Sequence, residues 1–145
     1  MLYIYSEISQ KIKLKGKSIV DLANLSLSAT SSENLARYTY IVERLAREKR
    51  TEFNFPKPEA YFHPEHLGIV YTTLIDLVHQ GYTVEILTYS PSLLNWVGDK
   101  IEYRELAPTE VSVHFEQFDG SVNSLNYNSN GVIDSFPIGY FAPKR

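Results

Sequence analysis

At 145 residues the chain has the length of one ordinary domain, enough to bury roughly 70% of the surface it exposes when unfolded. Hydrophobic residues at 43% and charged residues at 21% exclude a disordered or fibrous chain. The absence of cysteine excludes a disulfide scaffold, a thiolate metal site and a cysteine nucleophile. The net charge of −3 is unevenly spread: residues 1–52 carry nine Lys/Arg against six Asp/Glu, and residues 53–145 carry five against eleven. No apolar run approaches the roughly 20 residues that cross a bilayer, and Met1-Leu2-Tyr3-Ile4-Tyr5 lacks the layout of a signal peptide. A cytosolic location without membrane contact is the expectation.

Leu2-Tyr3-Ile4-Tyr5 and Lys11 to Leu14 read as short strands, and Ser18 to Ala23 is apolar without a deciding period. Thr30 and Glu33 stand at capping-box spacing, so a helix is predicted from near Ser31. Leu35, Tyr38, Ile41, Val42 and Leu45 form its apolar stripe, and the pattern fades near Arg50. Thr51-Glu52-Phe53-Asn54-Phe55 is a short strand closed by Pro56-Lys57-Pro58, since prolines interrupt central pairing. Pro64 suits the first turn of a second helix, with Leu67, Val70, Tyr71, Leu74, Leu77 and Val78 inward and Gly81 at its end. Tyr82 to Thr88 is the next strand, and strand, helix, strand at these lengths predicts a βαβ unit with parallel pairing. A third helix opens at Ser90-Pro91-Ser92. Val111 to Phe118 then alternates at period two, Asp119-Gly120 is a turn, and Ser121 to Tyr127 returns as a hairpin strand. Asn128 to Gly131 is a second turn before the aromatic tail Phe136 to Phe141, which is expected to pack on the sheet. The fold class is α/β, with a parallel βαβ core and an antiparallel C-terminal hairpin, in a single domain over residues 1–145.

Lys11, Lys13, Lys15 and Lys17 alternate with Ile12, Leu14 and Gly16. Such a run is a candidate nucleic-acid contact, or more simply a strand with one wet face. His63 and His66, with Glu65 between them, have H-x-x-H spacing, but no third ligand accompanies them and Pro64 stands between, so no metal is expected. His79 and His114 read as isolated. The eleven tyrosines fit a protein interface, or burial in the core for Tyr38, Tyr71 and Tyr82.

The segment Pro58-Glu59-Ala60-Tyr61-Phe62-His63-Pro64 resembles the P-E-x-H-L-H-P signature that follows the Walker B strand in ABC-type ATPases of the RecF, SMC and OLD kind. The likeness is greatest to AAA-type ATPases with a DUF3696 C-terminal region. Thr88-Tyr89-Ser90 stands where that family has Thr-His-Ser with its switch histidine. Leu106-Ala107-Pro108-Thr109-Glu110-Val111-Ser112-Val113-His114-Phe115 is similar to its S-P-E-D-V-x-I-Y-F stretch, and Asn130 to Phe141 to its D-G-x-I-x-x-W-P-x-G-F-F ending. The resemblance implies that residues 31–145 form the C-terminal lobe of a P-loop ATPase, with residues 1–30 a variable N-terminal segment. Leu25 to Ser32 would stand at the place of the signature loop, as a worn remnant or as a plain Ser/Thr-rich helix start.

The chain departs from that family where the chemistry lies. It has no G-x-x-x-x-G-K-S/T phosphate cradle. The acids that end the Walker B strand and hold magnesium fall on Pro56 and Lys57, and the switch histidine falls on Tyr89. Glu59 and His63 remain. The resemblance therefore implies a pseudo-ATPase without catalytic residues, cofactor or metal, acting as an interaction or regulatory module. Its partner is expected to be a protein, an intact ATPase or a second copy. Alternatives are a subunit of a split ATPase whose partner supplies the P-loop, or a nucleic-acid accessory factor in repair or anti-phage defence.

Overall fold

The computed structural model describes residues 1–6, 13–47, 52–116 and 121–133. Strands β1 (Leu2–Ser6), β2 (Lys17–Ser18), β3 (Glu52–Pro56), β4 (Thr83–Leu87), β5 (Val111–Glu116) and β6 (Val122–Leu125) form one sheet in the order β2-β3-β4-β1-β5-β6. Neighbours are parallel except β5 and β6. Helices α1 (Ile19–Ala23), α2 (Ser31–Leu45), α3 (Pro64–His79) and α4 (Pro91–Glu102) connect them. The architecture is α/β, and β3-α3-β4 is the expected βαβ unit, with Phe53 beside Val84 and Phe55 beside Ile86.

Local chemistry sets the helix starts. The Thr30 hydroxyl accepts from the Glu33 amide and donates to the Glu33 carboxylate, both at 3.1 Å, which opens α2 where the capping box predicts. Pro64 occupies the first turn of α3, where its missing N–H is not needed. Helix α2 stops at Leu45, short of the predicted Arg50, and residues 48–50 lie outside the described part. Strand β5 ends at Glu116, and the Asp119-Gly120 turn and the tail Phe136 to Phe141 also lie outside it.

Lys11 and Ile12 of the predicted strand lie outside the described residues, and its described part is not the strand that the alternation suggests. Lys13 to Lys15 carry no strand pairing. The Lys15 amide donates instead to Glu85, and the Lys15 and Gly16 carbonyls accept from the Asn54 side chain at 3.0 and 3.1 Å. Side chains thus satisfy the backbone groups that a ladder would have used. Gly16, at φ +79, then turns the chain into the two-residue β2.

Alternation along the strands separates two faces. Leu2, Ile4, Phe53, Phe55, Val84 and Ile86 join the inner stripes of the helices in one apolar cluster. Tyr3, Tyr5, Asn54, Glu85, Ser112 and His114 occupy the other face. The path β2 to β3 to β4 to β5 advances in one direction across the sheet, and right-handed crossovers then place its helices on a single side. The return from β1 to β2 runs the opposite way. Its described portion, Lys13 to Gly16, is the strap bonded to Asn54 and Glu85 on the polar face.

Residues 1–30, set apart by the family likeness as variable, supply the strand that divides β4 from β5. Leu2 and Ile4 are buried at 1% and 0% exposure between them.

Candidate functional site

In open parallel sheets, ligands bind beyond the carboxyl ends of strands where successive connections diverge. Here β1 leads toward β2 and β4 leads toward β5, so the divergence falls between these two neighbours. Thr88 seals their ends, its amide donating to the Tyr5 carbonyl at 2.9 Å. Four of the motif positions converge beside this point. Pro56 is the last residue of β3, opposite Leu87. Amides alternate sides along a strand, and Lys57 donates to the Leu87 carbonyl at 2.7 Å, so the missing Pro56 N–H faces the β2 side. That side has no strand to pair with, since β2 reaches only Phe53 and Asn54. Pairing therefore continues through Pro56, one residue beyond the sequence expectation.

Lys57 adopts a left-handed conformation, φ 53 and ψ 64, which costs a non-glycine residue about 1 kcal/mol or more. The turn swings the chain into a short 3-10 segment, Pro58–Ala60. The Lys57 ammonium lies 5.0 Å from the centroid of the Tyr89 ring, within cation–π range. Glu59 Oε1 accepts from the Thr88 hydroxyl at 2.9 Å and from the Tyr89 amide at 3.0 Å. One carboxylate thus fastens the loop after β3 to the loop after β4. Its Oε2 and the Tyr71 hydroxyl are buried without a hydrogen-bond partner. Burial first, and then the Glu59 charge, push the Tyr71 phenol well above its ordinary range.

His63 stands apart from this group. It caps α3, its Nδ1 accepting from the Glu65 amide at 3.2 Å, while its own amide donates to Ser31 Oγ at 2.6 Å. The same serine hydroxyl lies 2.6 Å from His66 Nδ1. The His63 ring thus caps α3, while the His63 amide and the His66 ring join the starts of α2 and α3 through Ser31. Among the described residues no group of three or more His, Asp or Glu could hold a metal ion. Ser26 to Ser32 serves the start of α2, with the Ser26 amide donating to Asn34 Oδ1 at 3.1 Å. The lysines also separate. Lys17 pairs with Phe53 and so points to the helix side of the sheet, Lys13 and Lys15 are exposed on the strap, and Lys11 lies outside the described residues.

The second constellation lies on the polar sheet face, and sequence reading missed it. Glu85 is buried at 5% exposure and accepts from the Tyr5 hydroxyl at 2.8 Å and from the Lys15 amide. Tyr5 stacks on His114 with centroids 4.9 Å apart. Ser112 and Ser124 hydroxyls lie 3.2 and 3.3 Å from the two His114 ring nitrogens. His114 is therefore not isolated, and neither is His79, whose Nε2 lies 3.9 Å from Glu110. The available signal was the spacing of Tyr3 and Tyr5, which puts both on one face of a strand.

Burial holds the His114 imidazole below its ordinary range, opposed by the nearby Glu85 charge. The folded protein thus favours neutral His114. Its contribution to stability is complete above about pH 6.5, the unfolded value, and is lost as the pH falls through the lower folded value. The urea midpoint of the wild type is expected to drop more between pH 7.5 and 5.5 than that of His114→Phe. Parallel pH profiles would exclude this role.

Among the described residues no helix is long and apolar enough to cross a membrane. Compared with models of known families, with curated proteins and with solved structures, the chain matches none of them.

Proposed function

We propose that this chain is a non-catalytic remnant of a RecF/OLD-like ATPase lobe, working in the cytosol as a protein-interaction or regulatory module. The observation that carries the reading is the use made of the strand-end residues. Pro56 offers no ligating side chain, the Lys57 cation is committed to the Tyr89 ring, and one oxygen of Glu59 is committed to Thr88 and Tyr89. Phosphoryl transfer depends on metal-holding acids and a phosphate cradle. In this chain the surviving acid serves as an internal fastener, which supports a scaffold kept for its surface. The partner fitting this reading is an intact ATPase of the same kind or a second copy of the chain.

Titration calorimetry with magnesium and ATP tests the proposal. The wild type is expected to give no binding heat. Glu59→Ala is expected to lower stability by about 1–3 kcal/mol through the buried Thr88 hydroxyl left without its acceptor, without changing that result. Magnesium-dependent ATP binding, with or without an added P-loop subunit, that Glu59→Ala abolishes would replace this reading with a composite nucleotide site.

A further inference from the structure

The polar sheet face carries a second feature, independent of the ATPase likeness. Centroids of Tyr3, Tyr5 and His114 lie 6.5, 6.1 and 4.9 Å apart, and their planes lie within 17 to 32° of one another. Three rings in a column would place the outer pair at about the sum of the two inner spacings. Here the longest separation is far short of that sum. The rings form a compact triangle of nearly parallel plates in which Tyr5 and His114 overlap as an offset stack. Each is only half-buried, and no described helix packs on this side.

A partly exposed aromatic cluster on a sheet face offers an unpaired base a ring to stack on, because every base has a π-face whatever its sequence. A chain of stacked bases also brings phosphates, which need cations close by. The strap supplies them. Its Lys15 amide and the Tyr5 hydroxyl share the Glu85 carboxylate, so the strap, with Lys13 and Lys15 exposed on it, runs beside the ring cluster. The Glu85 carboxylate beneath them is buried and bonded on both oxygens. Ser112 and Ser124 add hydroxyls at the opposite margin. We propose that the Tyr3, Tyr5 and His114 cluster, with the strap that carries Lys13 and Lys15 beside it, binds single-stranded nucleic acid by base stacking and phosphate contact.

Fluorescence anisotropy with labelled dT and U dodecamers and a duplex of the same length tests this. The wild type is expected to bind both single strands saturably and the duplex more weakly, since stacked pairs offer no free faces. A difference between dT and U reports contact with the 2′-hydroxyl. Tyr3→Ala and His114→Ala should each weaken binding about five- to a hundredfold, while Tyr3→Phe keeps wild-type affinity and circular dichroism verifies each fold. Two phosphate contacts give a log–log salt slope of roughly −1.4, which the double change Lys13→Gln, Lys15→Gln should flatten. The proposal is overturned by absence of saturable binding up to about 100 µM, the weak limit of non-specific association. Equal affinity for the duplex, wild-type binding by Tyr3→Ala, or a dimer in sedimentation that Tyr3→Ala dissociates would overturn it too.

Discussion

Replacing Gly131 by alanine is expected to cost more than about 3 kcal/mol, a large part of a domain's total of about 5–15 kcal/mol. Two effects coincide at this position. Gly131 has φ +76, where an L side chain is strained. A Cβ built there would overlap the Gly98 carbonyl oxygen and lie 2.8 Å from its carbonyl carbon. The obstacle is main chain inside the buried middle of α4 and cannot swing aside as a side-chain tip could. Gly131 ends the turn in which Asn128 Oδ1 accepts from the Asn130 and Val132 amides at 2.9 and 3.1 Å. That turn brings the C-terminal hairpin onto α4, where the Tyr127 hydroxyl donates to the Leu94 carbonyl at 2.7 Å. Gly81→Ala is the matched control, since φ is +97 but no atom lies within 4 Å of the added carbon. Backbone strain alone should cost it about 1 kcal/mol. Urea denaturation of the two variants separates strain from collision, and equal losses would show that the contact with α4 contributes nothing.

The parts of the fold written in local chemistry were legible. Thr30 with Glu33, Pro64, and the Asn128 to Gly131 turn act within a few residues of themselves, so spacing alone reveals them. Pairing of β3 with β4 followed from the βαβ rule, which sends both following loops from the same ends of adjacent strands, but the bonds from Glu59 to Thr88 and Tyr89 depend on the turn at Lys57 and were not read. The position of β1 was not legible. Leu2 to Tyr5 reads as a strand, but β4 and β5, the neighbours of β1, are chosen by long-range packing, which no local pattern records. The polar face was hidden for the same reason, because His114 meets Tyr5 only after β5 pairs with β1. The lysine run shows the opposite failure. Its alternation is real, but Asn54 and Glu85 satisfy the strap's backbone by side chain and remove the need for a ladder there.

Tyr38→Ala is the other change with a large expected effect, and comparison with Tyr38→Phe shows how α2 reaches the strand-end site. Tyr38 is completely buried. Its ring lies 5.9 Å from Phe55 and 5.7 Å from Phe62, edge-on to the latter. Phe55 precedes Pro56, and Phe62 follows the loop that carries Lys57 and Glu59, so one ring braces both feet of that loop. Asn34 adds a second brace, its Nδ2 donating to the Tyr61 carbonyl at 3.0 Å. Alanine leaves a cavity there and should cost about 3–5 kcal/mol. Phenylalanine keeps the ring and loses only the hydroxyl, which donates to the Val70 carbonyl at 2.8 Å and meets Thr73 Oγ1, at about 1–2 kcal/mol. The difference should also be visible at the site. The Lys57 amide is held by Leu87 and the Tyr89 amide by Glu59, and both should exchange hydrogen faster in Tyr38→Ala, with Tyr38→Phe close to the wild type. If the two variants are equally destabilised, the hydroxyl rather than the ring carries the packing. If exchange at Lys57 and Tyr89 is unchanged in Tyr38→Ala, the loop is held by Asn34 and Ser31 alone. The aromatic brace matters for function because the Glu59 fastener works only while the loops after β3 and β4 keep their present separation.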